Sequence, residues 1–146
     1  MDVTILLVED SPTDAAILAA AFDEAGCRLL LQTAHTGDEA LALLQQIDSG
    51  PSAYPRLILL DLNLPGKNGY EVLREIKNNN LWQKIPTIVL SSSATPCDIE
   101  RSYQLRANAY ITKPTNFSDY QVIAKKIYDF WLDTAQLPTN PSIAAA

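Results

Sequence analysis

Short apolar runs alternate along this chain with longer stretches in which apolar residues return every three or four positions. The first run, Val3 to Val8, has the length of a strand and ends at the polar cluster Glu9-Asp10-Ser11, which predicts a strand buried on both faces. Ser11-Pro12-Thr13-Asp14 then supplies a capping hydroxyl, a proline at the first helical position and an acid three residues after the cap. That order predicts a helix reaching Ala25, where Gly26 stops it.

The same alternation continues. Leu29 to Thr33 reads as a second strand, and Thr36-Gly37-Asp38-Glu39 as a capping box opening a helix through Leu41, Leu44 and Ile47. The segment Asp48 to Pro55, with Gly50, Pro51 and Pro55, is a surface loop. Leu57 to Leu60 form a third buried strand ending at Asp61, and the turn Leu64-Pro65-Gly66 leads to a helix from Gly69 to Asn79. Thr87 to Leu90 make a fourth strand before Ser91-Ser92-Ser93, and Thr95-Pro96-Cys97-Asp98 caps a fourth helix. Ala109 to Thr112 are a short fifth strand broken by Lys113-Pro114. Asn116 with Asp119 caps a last helix carrying Tyr120, Ile123, Ile127 and Trp131.

Strict alternation of strand and helix requires right-handed crossovers, and so a parallel sheet covered by helices on both faces: a doubly wound α/β domain. No linker divides it. Residues 1–137 read as this single domain, and 138–146, with two prolines and few anchors, as a flexible tail whose Ala144-Ala145-Ala146 resembles a cloning scar.

Composition narrows the function. The 146 residues carry 11 Lys+Arg against 17 Asp+Glu, a formal charge of −6, with 47% hydrophobic residues. A chain of this size buries roughly two thirds of its unfolded surface, so its core needs neither disulfide nor structural metal. The acidic balance argues against nucleic acid or an anionic membrane as the main partner. Cys27 and Cys97 stand in no paired motif and read as reduced, buried thiols of a cytoplasmic protein. No signal peptide is legible, and no apolar stretch reaches the roughly 18 residues of a membrane span.

In an open α/β sheet, ligands gather beyond the carboxyl ends of the strands where strand order reverses. The residues standing there are Glu9, Asp10, Asp61, Ser91 and Lys113. Carboxylates leaving neighbouring strands repel one another unless a cation sits among them, and hard oxygen ligands suit Mg²⁺. Lys113 adds a fixed positive charge and Ser91 a hydrogen-bond donor. Together they suit a dianion bound beside a metal. Asp14, Glu39 and Asp98 are read only as helix caps.

Val8-Glu9-Asp10, Leu60-Asp61-Leu62-Asn63-Leu64-Pro65-Gly66 with Gly69, Ser91-Ser92, and Tyr110-Ile111-Thr112-Lys113-Pro114 resemble the successive motifs of a response regulator receiver domain. The resemblance spans Thr4 to Ile127. It implies a flavodoxin-like five-stranded sheet of order 2-1-3-4-5 with five helices, and a phosphoryl group accepted by Asp61 from a sensor histidine kinase. It also implies Mg²⁺ on Glu9, Asp10, Asp61 and the backbone carbonyl of Asn63, with Lys113 neutralising the phosphoryl oxygens. Ser91 matches the switch hydroxyl and Tyr110 the aromatic switch. Lys113-Pro114 resembles the family's cis peptide. Two features depart from the family pattern: Ser91 replaces the commoner threonine, and the Asp48 to Pro55 loop is longer than in compact receivers, which reads as an inert insertion. His35, the single histidine, reads as structural.

The helix end Tyr128 to Leu137 carries more apolar side chains than one core-facing stripe requires, because successive helical residues point about 100° apart. With the Asp61 to Pro65 loop and the serine run, it is similar to the single-domain response regulators serving cyanobacterial phytochromes. This implies a bilin-binding kinase and leaves the downstream protein unidentified; the excess apolar side chains, with the face that the receiver resemblance implies for self-association, predict a homodimer through the fourth helix, fifth strand and fifth helix with Phe130 or Trp131 near its two-fold axis. Two other readings stand beside it. One is a Mg²⁺-dependent phosphohydrolase of the haloacid dehalogenase type, which wants an Asp where Asn63 stands. The other is a docking module that works without phosphate.

Overall fold

In the computed structural model, residues 4–138 are described. Five strands, β1 (Ile5–Val8), β2 (Leu31–Ala34), β3 (Leu57–Leu60), β4 (Thr87–Ser91) and β5 (Ala109–Thr112), alternate with five helices. The helices are α1 (Pro12–Glu24), α2 (Gly37–Asp48), α3 (Gly69–Asn78), α4 (Pro96–Gln104) and α5 (Phe117–Ile127). All four strand pairings are parallel and the order is β2-β1-β3-β4-β5, as the resemblance implies.

The strict period of two along each strand divides the core into two layers. Leu6, Val8, Ile58, Leu60 and Val89 face one side, where Leu41, Leu44, Val72, Leu73 and Ile76 of α2 and α3 cover them. Ile5, Leu7, Leu57, Leu59, Ile88 and Leu90 face the other, against Leu18 and Phe22 of α1 and Tyr120, Ala124 and Ile127 of α5. Both faces being covered explains why β1 and β3 read as unbroken apolar runs. Each helix begins at the cap its sequence offers: Ser11, Thr36, Asn68, Thr95 and Asn116 each accept the backbone N–H three residues on.

Four expectations need correction. Strand β2 begins at Leu31 rather than Leu29, since Thr4 and Ile5 first take up Leu30 O at 2.9 and 3.2 Å before regular pairing starts. Cys97 is exposed rather than buried, as it lies in the first turn of α4, which turns only Ser102 fully inward; Cys27 is buried as expected. No described peptide bond is cis, so Lys113-Pro114 is trans. The last helix does not run on as α-helix through Trp131: Tyr128–Thr134 is a π-helical segment. Its wider hydrogen-bond period sets Leu132 five residues from Ile127 on the same inward side, and both are buried. Phe130 is left 54% exposed, in edge-to-face contact with Trp131 at 5.1 Å. Arg56 Nη2 fixes the segment by donating to Leu132 O at 3.1 Å.

The Asp48 to Pro55 loop is pinned rather than free. Asp48 Oδ1 accepts from Trp82 Nε1 at 2.8 Å and from the Tyr54 hydroxyl. The expected tail lies outside the described residues except for Pro138.

Candidate phosphoacceptor site

Backbone ladder bonds carry on one residue past the strands and fix the site at its base. Glu9 N–H donates to Ala34 O at 2.9 Å, Asp61 N–H to Val8 O at 3.0 Å and Lys113 N–H to Ser91 O at 2.7 Å. The side chains of Glu9, Asp61 and Lys113 are thus delivered from β1, β3 and β5 into one cleft, at the β1/β3 reversal of strand order.

Lys113 Nζ lies at its centre, 2.6 Å from Glu9 Oε1, 2.8 Å from Asp14 Oδ2 and 3.1 Å from Asp61 Oδ2. Burial works against the ammonium, but hydrogen bonds to Asp14 and Glu9 and the charge of Asp61 outweigh it and lift its pKa above the ordinary lysine value. Glu9 goes the other way for a carboxylate. Burial, helped by the neighbouring Asp61 and opposed by Lys113, pushes its pKa up to about 7.

One carboxylate oxygen each from Glu9, Asp10 and Asp61 lies within 4.8 Å of the others, with Glu9 and Asp61 buried and Asp10 exposed. Two buried carboxylates and one facing solvent make a half-open set of hard oxygens, which fits a divalent cation that keeps part of its water. Asn63 N–H donates to Asp61 Oδ1 at 3.2 Å, setting the Asn63 peptide beside that carboxylate. Gly69 permits this arrangement. A Cβ there would stand 2.4 Å from Asp61 O and 2.5 Å from Leu62 Cα, so only glycine lets α3 start against the Asp61 loop.

Ser91 is fully buried, and its Oγ accepts the Ser93 N–H at 3.2 Å. Ser93 is then a node, its carbonyl accepting from the Tyr110 hydroxyl at 2.7 Å and its own hydroxyl donating to Asp98 Oδ2 at 2.5 Å. Asp98 also accepts from Thr95 Oγ1 at 3.1 Å and from the Tyr70 hydroxyl of α3. Hydrogen bonds from Ser93, Tyr70 and Thr95 hold its carboxyl below the usual range. A chain of contacts therefore leads from Ser91 to β5, α4 and α3.

The structure brings Glu9, Asp10, Asp61 and Lys113 together, and the Tyr110 hydroxyl of β5 reaches Ser93 of the loop that follows Ser91. Asp14 and Asp98, read only as caps, carry more than that. Each cap uses the residue's N–H, while the carboxylate reaches Lys113 in one case and Ser93 and Tyr70 in the other. His35 is exposed, and its N–H donates to Glu39 Oε2 at 2.9 Å, completing the cap of α2.

Comparison with known proteins agrees with this geometry. Residues 5–125 match the sequence model of the response regulator receiver domain. The response regulator Rcp1 of Synechocystis is 42% identical over 135 residues, 92% of each chain. A solved structure of the phosphorylated cyanobacterial phytochrome response regulator RcpA superposes with a TM-score of 0.85 at 43% identity, covering 95% of this chain and 100% of that one. The Mn²⁺-bound form of Rcp1 gives 0.81 at 42% identity, covering 92% and 98%. With the matched sequence spanning the whole sheet and the strand-end residues gathered in one cleft, this chain belongs to the response regulator receiver family.

Proposed function

We propose that Asp61 is the phosphoacceptor, receiving a phosphoryl group from a phosphohistidine of a sensor kinase. The observation that carries this is the Lys113 ammonium 3.1 Å from Asp61 Oδ2 inside a cluster of hard oxygens. An Asp61 oxygen forms the new bond to phosphorus as the phosphorus–nitrogen bond breaks, and the imidazole nitrogen keeps that electron pair. Lys113 meets charge on the phosphoryl oxygens. Glu9, Asp10, Asp61 and the Asn63 carbonyl would hold Mg²⁺, which when bound supplies further neutralisation of those oxygens. Solved phosphorylated and Mn²⁺-bound relatives support both parts.

The Ser91 hydroxyl turns to the phosphoryl group and gives up the Ser93 N–H, so Tyr110, hung on the same loop, responds. Signalling then passes through the surface of α4, β5 and α5 to a second copy of the chain and to a downstream protein. The similarity to the cyanobacterial phytochrome response regulator RcpA supports a phytochrome as the kinase. Membership of the receiver family favours this reading over a haloacid dehalogenase-type hydrolase. No helix among the described residues is long and apolar enough to cross a membrane.

The test is labelling by a phosphorylated kinase or acetyl phosphate. Asp61→Asn is expected to take up no alkali-labile phosphate and Asp10→Ala to lose the Mg²⁺ dependence of labelling. Undiminished label on the first variant refutes the assignment.

A further inference from the structure

The Asp14 carboxylate does something that capping α1 does not require. The cap itself is a bond from Asp14 N–H to Ser11 Oγ at 3.2 Å and uses no side-chain atom of Asp14. The side chain reaches instead from the first turn of α1 to the segment after β5, placing Oδ2 2.8 Å from Lys113 Nζ. An ammonium has three N–H donors, and three carboxylates take them here, those of Glu9, Asp14 and Asp61.

The three acceptors are not equivalent. Glu9 and Asp61 also belong to the oxygen cluster suited to a cation, and Asp61 loses an anionic oxygen when it becomes an acyl phosphate. Asp14 belongs to neither. Its side chain is 36% exposed against 4% for Glu9 and 6% for Asp61, so it holds the lysine from the solvent side. When the two buried carboxylates turn to metal and phosphorus, Asp14 is the acceptor that Lys113 keeps.

We infer that Asp14 is a positioning residue for phosphoryl transfer, retaining one Lys113 N–H so that the other two point at the phosphoryl oxygens on Asp61. The inference rests on the reading of Asp61 as phosphoacceptor. Asp14 exchanges no proton and no electron pair in the step; with acetyl phosphate as donor, the Asp61 oxygen bonds to phosphorus and acetate leaves with the pair. A purely electrostatic role has the opposite sign. Removing a negative charge would ease the approach of an anionic donor and speed transfer, whereas removing a holder of Lys113 slows it.

The experiment follows labelling of the full chain by acetyl phosphate with Mg²⁺, read by intact mass, in wild type, Asp14→Asn, Asp14→Glu and Asp61→Asn. Asp14→Asn is expected to lower the maximal rate constant roughly ten-fold with little change in the half-saturating donor concentration, the size expected when an aligned charged group is loosened. Asp14→Glu, which restores a carboxylate at the same helical position, is expected to recover most of that loss. A faster Asp14→Asn, an unchanged maximal rate, or an Asp14→Glu no better than Asp14→Asn overturns the inference while leaving Asp61 as acceptor. A wild type that takes up no phosphate, or an Asp61→Asn labelled as well as wild type, overturns the acceptor reading and the inference with it.

Discussion

Lys77 is the clearest case of a residue whose setting its identity does not reveal. It stands in the last turn of α3, where a lysine suits the helix C-terminus, yet it is buried at 5% exposure. Its Nζ donates to Gln83 O and Ile85 O at 3.1 Å and to Asn108 Oδ1 at 2.9 Å, all neutral acceptors. Burial, and then the charge of Arg106, push its pKa down to about 8 from the 10.5 of a free lysine. Between those values the unfolded chain binds a proton that the folded chain has released, so this group's contribution to stability rises with pH across the window and its penalty is complete below it. The unfolding free energy of wild type relative to Lys77→Met is therefore expected to rise from pH 8 to 10.5, by at most about 3 kcal/mol at roughly 1.4 kcal/mol per pKa unit. Urea titrations across that range check it, and a flat difference refutes it. Asp14 and Asp98 teach the same lesson. Their N–H groups cap helices as the local pattern says, but which neighbour a carboxylate meets depends on residues nearly a hundred positions away in one case.

At the scale of elements, the β3–α3 junction shows local sequence and packing acting together. Asn68 caps α3, Gly69 N–H donates to Leu62 O at 3.0 Å, and the missing Cβ allows the close approach of helix and loop. Gly69→Ala would force backbone apart from backbone. It is expected to cost about 1–3 kcal/mol of stability and to slow phosphorylation by displacing Asp61. Equilibrium unfolding and labelling rates measured together test this, and a variant as stable and as readily labelled as wild type contradicts it. Helix α4 is of another kind. Ser102 is its one buried residue, and its start is tied by polar contacts through Asp98 rather than by apolar packing. An element held this way can shift at low cost when the Ser93 node rearranges. Its polar cap was legible in Thr95-Pro96-Cys97-Asp98; its weak packing was not, because burial depends on what lies opposite. The π-helical segment Tyr128–Thr134 was likewise hidden, since Leu132 and Trp131 meet the α1/α5 layer only in the folded protein.

For the whole molecule, the exposed apolar residues bear on assembly. Tyr103 of α4 and Val122 of α5 are each 49% exposed, Phe117 is 41% exposed and Phe130 54%. The Tyr103 hydroxyl accepts the N–H of Tyr110, so a backbone donor on the edge strand β5 is already occupied and pairing of copies through side chains is favoured over strand addition. A homodimer through α4, β5 and α5, strengthened by a beryllofluoride mimic of the phosphoryl group, is the expected assembly. Phe130→Ala is expected to weaken it by about 1–2 kcal/mol. Sedimentation at micromolar concentration is the check: a monomer with and without the mimic, or a dimer indifferent to Phe130→Ala, rejects that interface.

The chain's own pattern determined the α/β class, the five alternations, the helix starts and the residues at the strand ends, because period, capping and turn chemistry act over a few residues and are written in them. The motifs added strand order, and the proposal of Asp61 as phosphoacceptor, by resemblance. Only the tertiary structure decided that Asp14 closes the Lys113 cage, that Lys77 is buried, that Ser93 joins Ser91 to Tyr110 and Asp98, and that Phe130 rather than Trp131 is the more exposed aromatic of the last segment. Each of these depends on contacts between segments far apart in sequence, where the nearest partner is fixed by how helices pack on the sheet and not by any local preference.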